Sequence, residues 1–277
     1  MQEEITWINP LGGLGDTLML SGVLKLALER DPDCRFQLVR RTKYLPFLAH
    51  HPAISFVGSP PRTATLIGTD YWSTERYRQG GRAFQCLAEK FNLPLPVSER
   101  LWLPNMEQLS FPWPSFPPLR PRVVFSANTD SPRKKWERRE WAALAARFRK
   151  EGWSVLQTGR LDEPYIPGAL SLLGLTTPLE LIALLKECDL LISTDSFAMH
   201  AAKLVKKPAI ILWGPTLLSV YGYEGHWHIS AEKQCTPACI GPTRGGQYGV
   251  PCTEVNHCMA SITAEDVWKM VNSKDVQ

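Results

Sequence analysis

Between Pro104 and Pro121 six prolines fall in eighteen positions (104, 112, 114, 117, 118 and 121), and this constrains the fold more than any other feature of the chain. Each proline removes a backbone donor and fixes φ, so neither a helix nor a central strand can run through the segment. The sequence therefore reads as two bodies, residues 1–103 and 122–277, joined by a linker over 104–121. At 277 residues the length suits two modest domains. With 44% hydrophobic and 21% charged residues, each half has enough apolar mass for its own core.

On both sides of the linker, short apolar runs alternate with helical patterns. The first half opens with a β-like run over Ile5–Ile8, a glycine loop (Gly12, Gly13, Gly15) and a helical stretch over Asp16–Glu29. Strands are predicted over Arg35–Arg41 and Ile54–Gly58, with a short helix over Tyr44–His50 between them. After the linker, Val123–Phe125 predicts a strand. Glu137–Lys150 predicts a helix, with Trp141, Leu144, Ala145 and Phe148 on one face. Ser154–Thr158 is the next strand, and Thr177-Pro178-Leu179-Glu180 reads as a capping box opening a helix that ends near Cys188. Leu190–Thr194 and Ala209–Trp213 predict buried strands around a helix over Phe197–Val205. A last helix within 263–273, entered through Thr263 with Asp266 three residues on, is expected to pack back on the first domain.

Such alternation implies parallel sheets with right-handed crossovers, hence an α/β fold of two Rossmann-like domains facing across a cleft. Ligands of open α/β sheets bind beyond the carboxyl ends of the strands, so function is sought on the loops that follow strands.

Bulk properties exclude several classes. No apolar run approaches the ~20 residues of a membrane-spanning helix. The start carries Gln2, Glu3 and Glu4 where an export signal would be basic, so a cytoplasmic protein is expected. The formal charge of +4 suits a phosphate-bearing ligand, or peripheral attachment at the inner face of an anionic membrane, and is too small to argue for nucleic acid.

Three constellations at strand ends carry chemistry. In Gly12-Gly13-Leu14-Gly15-Asp16, bare glycines allow close approach to a ligand, and Asp16 stands either as a helix cap or as a general base. The stretch Arg133-Lys134-Lys135-Trp136-Glu137-Arg138-Arg139 holds five basic residues in seven positions. It reads either as a neutralising site for a diphosphate or as a solvated basic patch. In Asp195-Ser196-Phe197-Ala198-Met199-His200, polar groups at a strand end meet an opening helix, a ready place for a ribose and a diphosphate.

These residues together resemble glycosyltransferase family 9, the ADP-heptose heptosyltransferases. Asp195-Ser196 with His200 and Ala202 resembles the family's D-[ST]-G-x-x-H-x-A signature, and Lys207-Pro208 followed by Trp213-Gly214-Pro215-Thr216 is similar to the strand and turn behind it. Gly15-Asp16 resembles the family's N-terminal G-D, and Lys134 with Trp136 its K-x-W element. The resemblance implies a GT-B fold and an inverting transfer from a nucleotide-sugar donor, usually ADP-heptose, to a glycan or lipid-linked glycan acceptor of the lipopolysaccharide core, with no catalytic metal. By the same resemblance Asp16 is the base. Gly15, Lys134, Asp195, Ser196, Phe197, His200, Gly214 and Thr216 form the donor site. Phe197 stands where the family has glycine. That change, with a short first half, keeps a noncatalytic sugar-nucleotide binding protein as an alternative.

Of seven cysteines, Cys34, Cys86 and Cys188 stand alone and read as core. Cys235, Cys239, Cys252 and Cys258 cluster among glycines over 235–258 and suit either a closed tetrahedral zinc or iron site or packed, reduced thiols, with His226, His228 and His257 as spare ligands. The segment also resembles the tetracysteine iron motif of protein O-heptosyltransferases that modify autotransporters, which makes a protein hydroxyl a second candidate acceptor.

Overall fold

The computed structural model describes residues 6–113, 118–127, 129–232, 235, 239–241, 252–253 and 257–273. Part of the proline-rich linker, and Gly245, Gly246 and Gly249 of the cysteine-rich stretch, therefore lie outside the described residues. The chain divides into two compact units, Met1–Gln108 with Ser219–Tyr221, and Leu109–Leu218 with Gly222–Gln277.

In the first unit β1 (Thr6–Asn9) feeds α1 (Leu14–Arg30), β2 (Phe36–Val39) leads through α2 (Leu45–Leu48) to β3 (Ile54–Gly58), and β4 (Thr65–Gly68) is followed by α3 (Glu75–Arg78) and α4 (Ala83–Lys90). The sheet is parallel in the order β3-β2-β1-β4. Chain order therefore reverses direction between β1 and β4. Leu18, Leu20, Val23 and Leu24 of α1 are buried, and Gly22 lets the helix pass the chain at Arg100, since a Cβ there would lie 2.0 Å from the Arg100 carbonyl oxygen.

The second unit contains β5 (Arg122–Ser126), α5 (Arg138–Lys150), β6 (Ser154–Gly159), β7 (Leu170–Leu173), α6 (Pro178–Glu187), β8 (Leu190–Thr194), α7 (Phe197–Leu204) and β9 (Ala209–Trp213). The short α8 (Leu218–Tyr221), most of which groups with the first unit, precedes β10 (Trp227–Ser230) and α9 (Ala264–Val271). Its sheet is parallel, ordered β10-β9-β8-β5-β6-β7. Counted from β5, this is the 3-2-1-4-5-6 order of a doubly wound Rossmann sheet, with its switch point between β5 and β8. Central strands β5, β8 and β9 are buried at every residue, as a parallel sheet covered on both faces requires.

Local signals explain the helix starts. Thr177 Oγ1 accepts from Glu180 N at 3.2 Å while Glu180 Oε2 accepts from Thr177 N at 2.7 Å, a reciprocal capping box, and Thr263 with Asp266 repeats it on α9. The core gathers aromatic rings from β5, α5 and the turn between them: the Trp141 ring lies 4.8 Å from Trp136 and 5.1 Å from Phe125. Helix α9 packs within the second unit. Its apolar face, Val267, Trp268 and Val271, joins this core, with Trp268 stacked edge-on against Phe148 and Arg147 over its ring. The α5 surface offers an aromatic partner close at hand, so α9 closes the unit that precedes it.

Candidate functional site

At the β5/β8 switch point of the second sheet, two loops bring opposite charges together. Beyond β5 a 3-10 turn, Pro132–Lys134, directs Lys134 inward. Beyond β8, Asp195 and Ser196 precede α7. Lys134 Nζ lies 2.8 Å from Asp195 Oδ2 and 3.3 Å from the Asp195 carbonyl oxygen. Both side chains are over nine-tenths buried. Burial pushes the Asp195 carboxyl up, but the Lys134 charge and its hydrogen bond, with His200 and Thr216, outweigh it and hold the carboxyl below its usual range. The pair is ionised, desolvated and mutually dependent.

Ser196 is the N-cap of α7 and makes no side-chain cap; its hydroxyl instead lies 3.1 Å from Ser193 Oγ. Phe197, half-buried, is the first residue of the helix, so the positive end of its dipole lies between Asp195 and Phe197. His200, one turn in, sets Nδ1 2.7 Å from the Tyr223 hydroxyl, with the rings edge to face. Tyr223 is absent from the sequence-derived set, because it follows a four-residue helix and belongs to no motif.

The basic run divides. Arg133 and Lys134 are buried, whereas Lys135, Arg138 and Arg139 face solvent. The solvated-patch reading therefore fits Lys135, Arg138 and Arg139 and not the buried pair. Trp136 is buried and donates Nε1–H to the Ile262 carbonyl at 2.8 Å, which ties the basic turn to the chain before α9. Gly214 lies close against the cysteine segment: a Cβ there would lie 2.3 Å from Met259 Sδ and 3.0 Å from Cys258 Sγ. The cysteine segment is thus pressed against the Gly214-Pro215-Thr216 turn, and Ile240 N donates to the Pro215 carbonyl at 3.1 Å.

Burial, followed by the neighbouring Cys239, Cys235 and Cys252, pushes the Cys258 thiol up to about 11. Among the described residues no group of three or more His, Cys, Asp or Glu side chains is arranged to hold a metal ion. The four thiols are near enough to act on one another electrostatically. Of the spare histidines, His228 accepts from Trp213 Nε1 and bonds the Tyr223 carbonyl, and His257 meets Glu137 at 3.0 Å. A cavity of about 300 Å³ lies between the basic turn and this segment, lined in part by Arg133, Lys135, Glu137, Cys252 and His257.

The first sheet's switch point, between β1 and β4, holds Asp16. Gly12 takes φ +92°, and a Cβ there would stand 2.4 Å from Asp16 Oδ2, so the loop can wrap the carboxylate only as glycine. Asp16 Oδ2 accepts from Gly13 N at 2.5 Å, and Oδ1 from the Tyr71 hydroxyl at 2.8 Å. Asp16, third residue of α1, thus satisfies the backbone N–H of the N-cap Gly13, while each oxygen keeps acceptor capacity beyond its one bond among the described residues. Gly15 is buried in the first turn of α1. Thr69 Oγ1, just beyond β4, accepts from Leu11 N at 2.7 Å and ties the two loops. Burial, then the adjacent Asp16 charge, push the Tyr71 phenol well above its usual range, so Tyr71 acts as a donor.

The description "Glycosyltransferase family 9 (heptosyltransferase)" belongs to the family model that matches residues 74–235. Over 111 residues the chain is 32% identical to lipooligosaccharide heptosyltransferase 2 of Haemophilus influenzae, covering 35% of this chain and about a third, 32%, of that relative's length. Among solved structures it is similar to the iron-containing dodecameric glycosyltransferase TibC of enterotoxigenic E. coli, with TM-score 0.77 and 19% identity over 98% of this chain and 76% of that one. TibC has also been solved as a heptosyltransferase in complex with ADP-D-β-D-heptose. The ADP-heptose lipopolysaccharide heptosyltransferase II of E. coli matches with TM-score 0.64 and 15% identity, covering 97% of both chains. At these identities the solved structures speak for the fold, two parallel α/β units of the GT-B type.

Proposed function

Because the chain belongs to glycosyltransferase family 9, the heptosyltransferases, we propose that it transfers a heptose or related sugar from ADP-heptose to a hydroxyl of a lipopolysaccharide-core or other glycan, with inversion at the anomeric carbon. The observation that carries this reading is the buried Lys134–Asp195 pair at the β5/β8 switch point, beside the N-terminus of α7. A donor diphosphate is what such a position suits, being the place where a doubly wound sheet binds phosphates. Asp195 orients the Lys134 ammonium, and Ser196, Phe197, His200 and Thr216 surround the donor.

Asp16 takes the proton of the acceptor hydroxyl as its oxygen attacks the anomeric carbon. The bond from that carbon to the diphosphate breaks, and ADP departs with the electron pair. Lys134 and the α7 dipole meet the charge on the leaving group, so no catalytic divalent cation is required by this scheme. The chain's slight basic excess, 31 basic against 27 acidic residues, suits a peripheral position on the anionic inner face of a membrane carrying the acceptor. No described helix is long and apolar enough to cross a membrane.

The test is release of ADP from ADP-heptose with a lipopolysaccharide-core fragment, in the presence of a chelator, for the wild type and Asp16→Ala. Loss of about a hundredfold or more in the variant fits a general base; undiminished turnover removes Asp16 from that role. Tight donor binding with no transfer to glycan or peptide acceptors would favour the noncatalytic alternative. Transfer to a peptide hydroxyl alone would favour the protein acceptor. A structural zinc or iron drawing Cys235, Cys239, Cys252 and Cys258 together is part of the proposal, supported by their shared neighbourhood. About one equivalent of metal per chain in purified protein is expected, and none would leave them as packed thiols.

A further inference from the structure

The switch point of the first sheet places a second functional side chain, Tyr71, against Asp16. Beyond β4 the chain runs through Thr69, pinned to Leu11, into a 3-10 turn over Tyr71–Ser73. Tyr71 is only 5% exposed. Its ring is held edge-on by Trp72 at 5.2 Å and by Tyr77 at 5.5 Å, and the Tyr77 hydroxyl shares a short hydrogen bond with that of Tyr221. The phenol therefore has little freedom, and its hydroxyl meets Asp16 Oδ1.

The carboxylate is gripped from two loops. Gly13 N fixes Oδ2 and Tyr71 fixes Oδ1, which removes the broad rotation that an aspartate carboxylate otherwise enjoys about its terminal torsion. The other polar groups nearby act on the loop: the Tyr44 hydroxyl and the Lys43 ammonium both donate to the Gly12 carbonyl, at 2.9 and 3.1 Å. Tyr71 is the one side chain among the described residues that donates directly to Asp16.

We propose that Tyr71 is the positioning residue of Asp16, fixing the carboxylate plane so that its unused lone pairs meet the acceptor hydroxyl. This rests on Asp16 being the base. Deleting that donor leaves Oδ1 without the Tyr71 bond and lets the carboxylate turn out of the plane that faces the acceptor hydroxyl.

Tyr71→Phe keeps the ring and its edge contacts and deletes only the donor. Two readouts separate the proposal from the reading beneath it. In protein labelled with carboxyl-13C aspartate, with the Asp16 resonance assigned by its loss in Asp16→Asn, that resonance is expected to shift at about pH 7 in Tyr71→Phe as the donated bond is lost. In ADP-release kinetics kcat is expected to fall about tenfold with the donor KM unchanged. An unmoved resonance, or a moved resonance with unchanged kcat, overturns the role of Tyr71 while leaving Asp16 as base. Full activity in Asp16→Asn overturns the base reading, and the positioning role with it.

Discussion

Replacing Lys134 by methionine keeps the length of the side chain and removes its charge. Asp195, whose side chain is 8% exposed, is then left as a buried carboxylate without its ionic partner. Removing one member of a buried pair costs about 3–5 kcal/mol, mostly from the charge left behind. At about 2–4 °C per kcal/mol for a unit of this size, the melting temperature of the second unit falls by roughly 6–20 °C. The sign of the pH dependence separates this cause from lost packing. In the wild type the folded Asp195 carboxyl lies below its ordinary value of 3.8, so the pair's contribution is present above that value and lost as pH falls through the folded one. In Lys134→Met burial is no longer opposed by that cation, the folded value rises, and the folded state takes up a proton first. The stability gap between wild type and variant therefore narrows as pH falls from 7 toward 4.5, and Asp195→Asn in the variant background restores part of the loss. Urea unfolding followed by the fluorescence of the buried Trp136 and Trp141 measures this. A gap that stays constant across that range would refute the buried-charge explanation.

Gly22→Ala ought to gain about 1 kcal/mol in helix propensity, but the new Cβ would lie 2.0 Å from the Arg100 carbonyl oxygen. A net loss of about 1–3 kcal/mol by denaturant titration is expected from this overpacking, and a net gain would show that the chain at Arg100 yields freely. His226 is buried with both ring nitrogens unpartnered among the described residues, and burial first, then His228, Lys203 and His200, lower it to about 3 from 6.5. Its contribution is present above pH 6.5 and lost on acidification, as the unfolded chain binds the proton first. His226→Leu should therefore lose less stability than the wild type between pH 6.5 and 4; equal losses would assign the acid sensitivity elsewhere.

Central strands were legible from sequence because full burial leaves an uninterrupted apolar run. Leu190–Thr194 and Ala209–Trp213 stand where the sequence predicts them, residue for residue. Strands β4, β7 and β10 were not predicted. Each is a four-residue edge strand with exposed positions, so neither alternation nor a continuous run marks it. The loss of β4 had a functional consequence, since Tyr71 is placed by that strand and cannot be paired with Asp16 without it. Asp195, His200 and Lys134 were legible because their motif spacing survives in the chain. The inward turn of Arg133 and Lys134 and the outward turn of Lys135, Arg138 and Arg139 were not, because composition carries no direction. The packing of α9 on α5 was not legible for a similar reason: an amphipathic helix announces an apolar face without naming the surface that covers it.

The configuration of the glycosidic bond in the product tests the central claim most directly. With ADP-heptose and a core glycan, NMR of the purified product should show an anomeric centre opposite to the donor's, because a single in-line displacement assisted by Asp16 admits no other outcome. A product that retains the donor's configuration would contradict the account, since it demands a second displacement for which no role has been assigned.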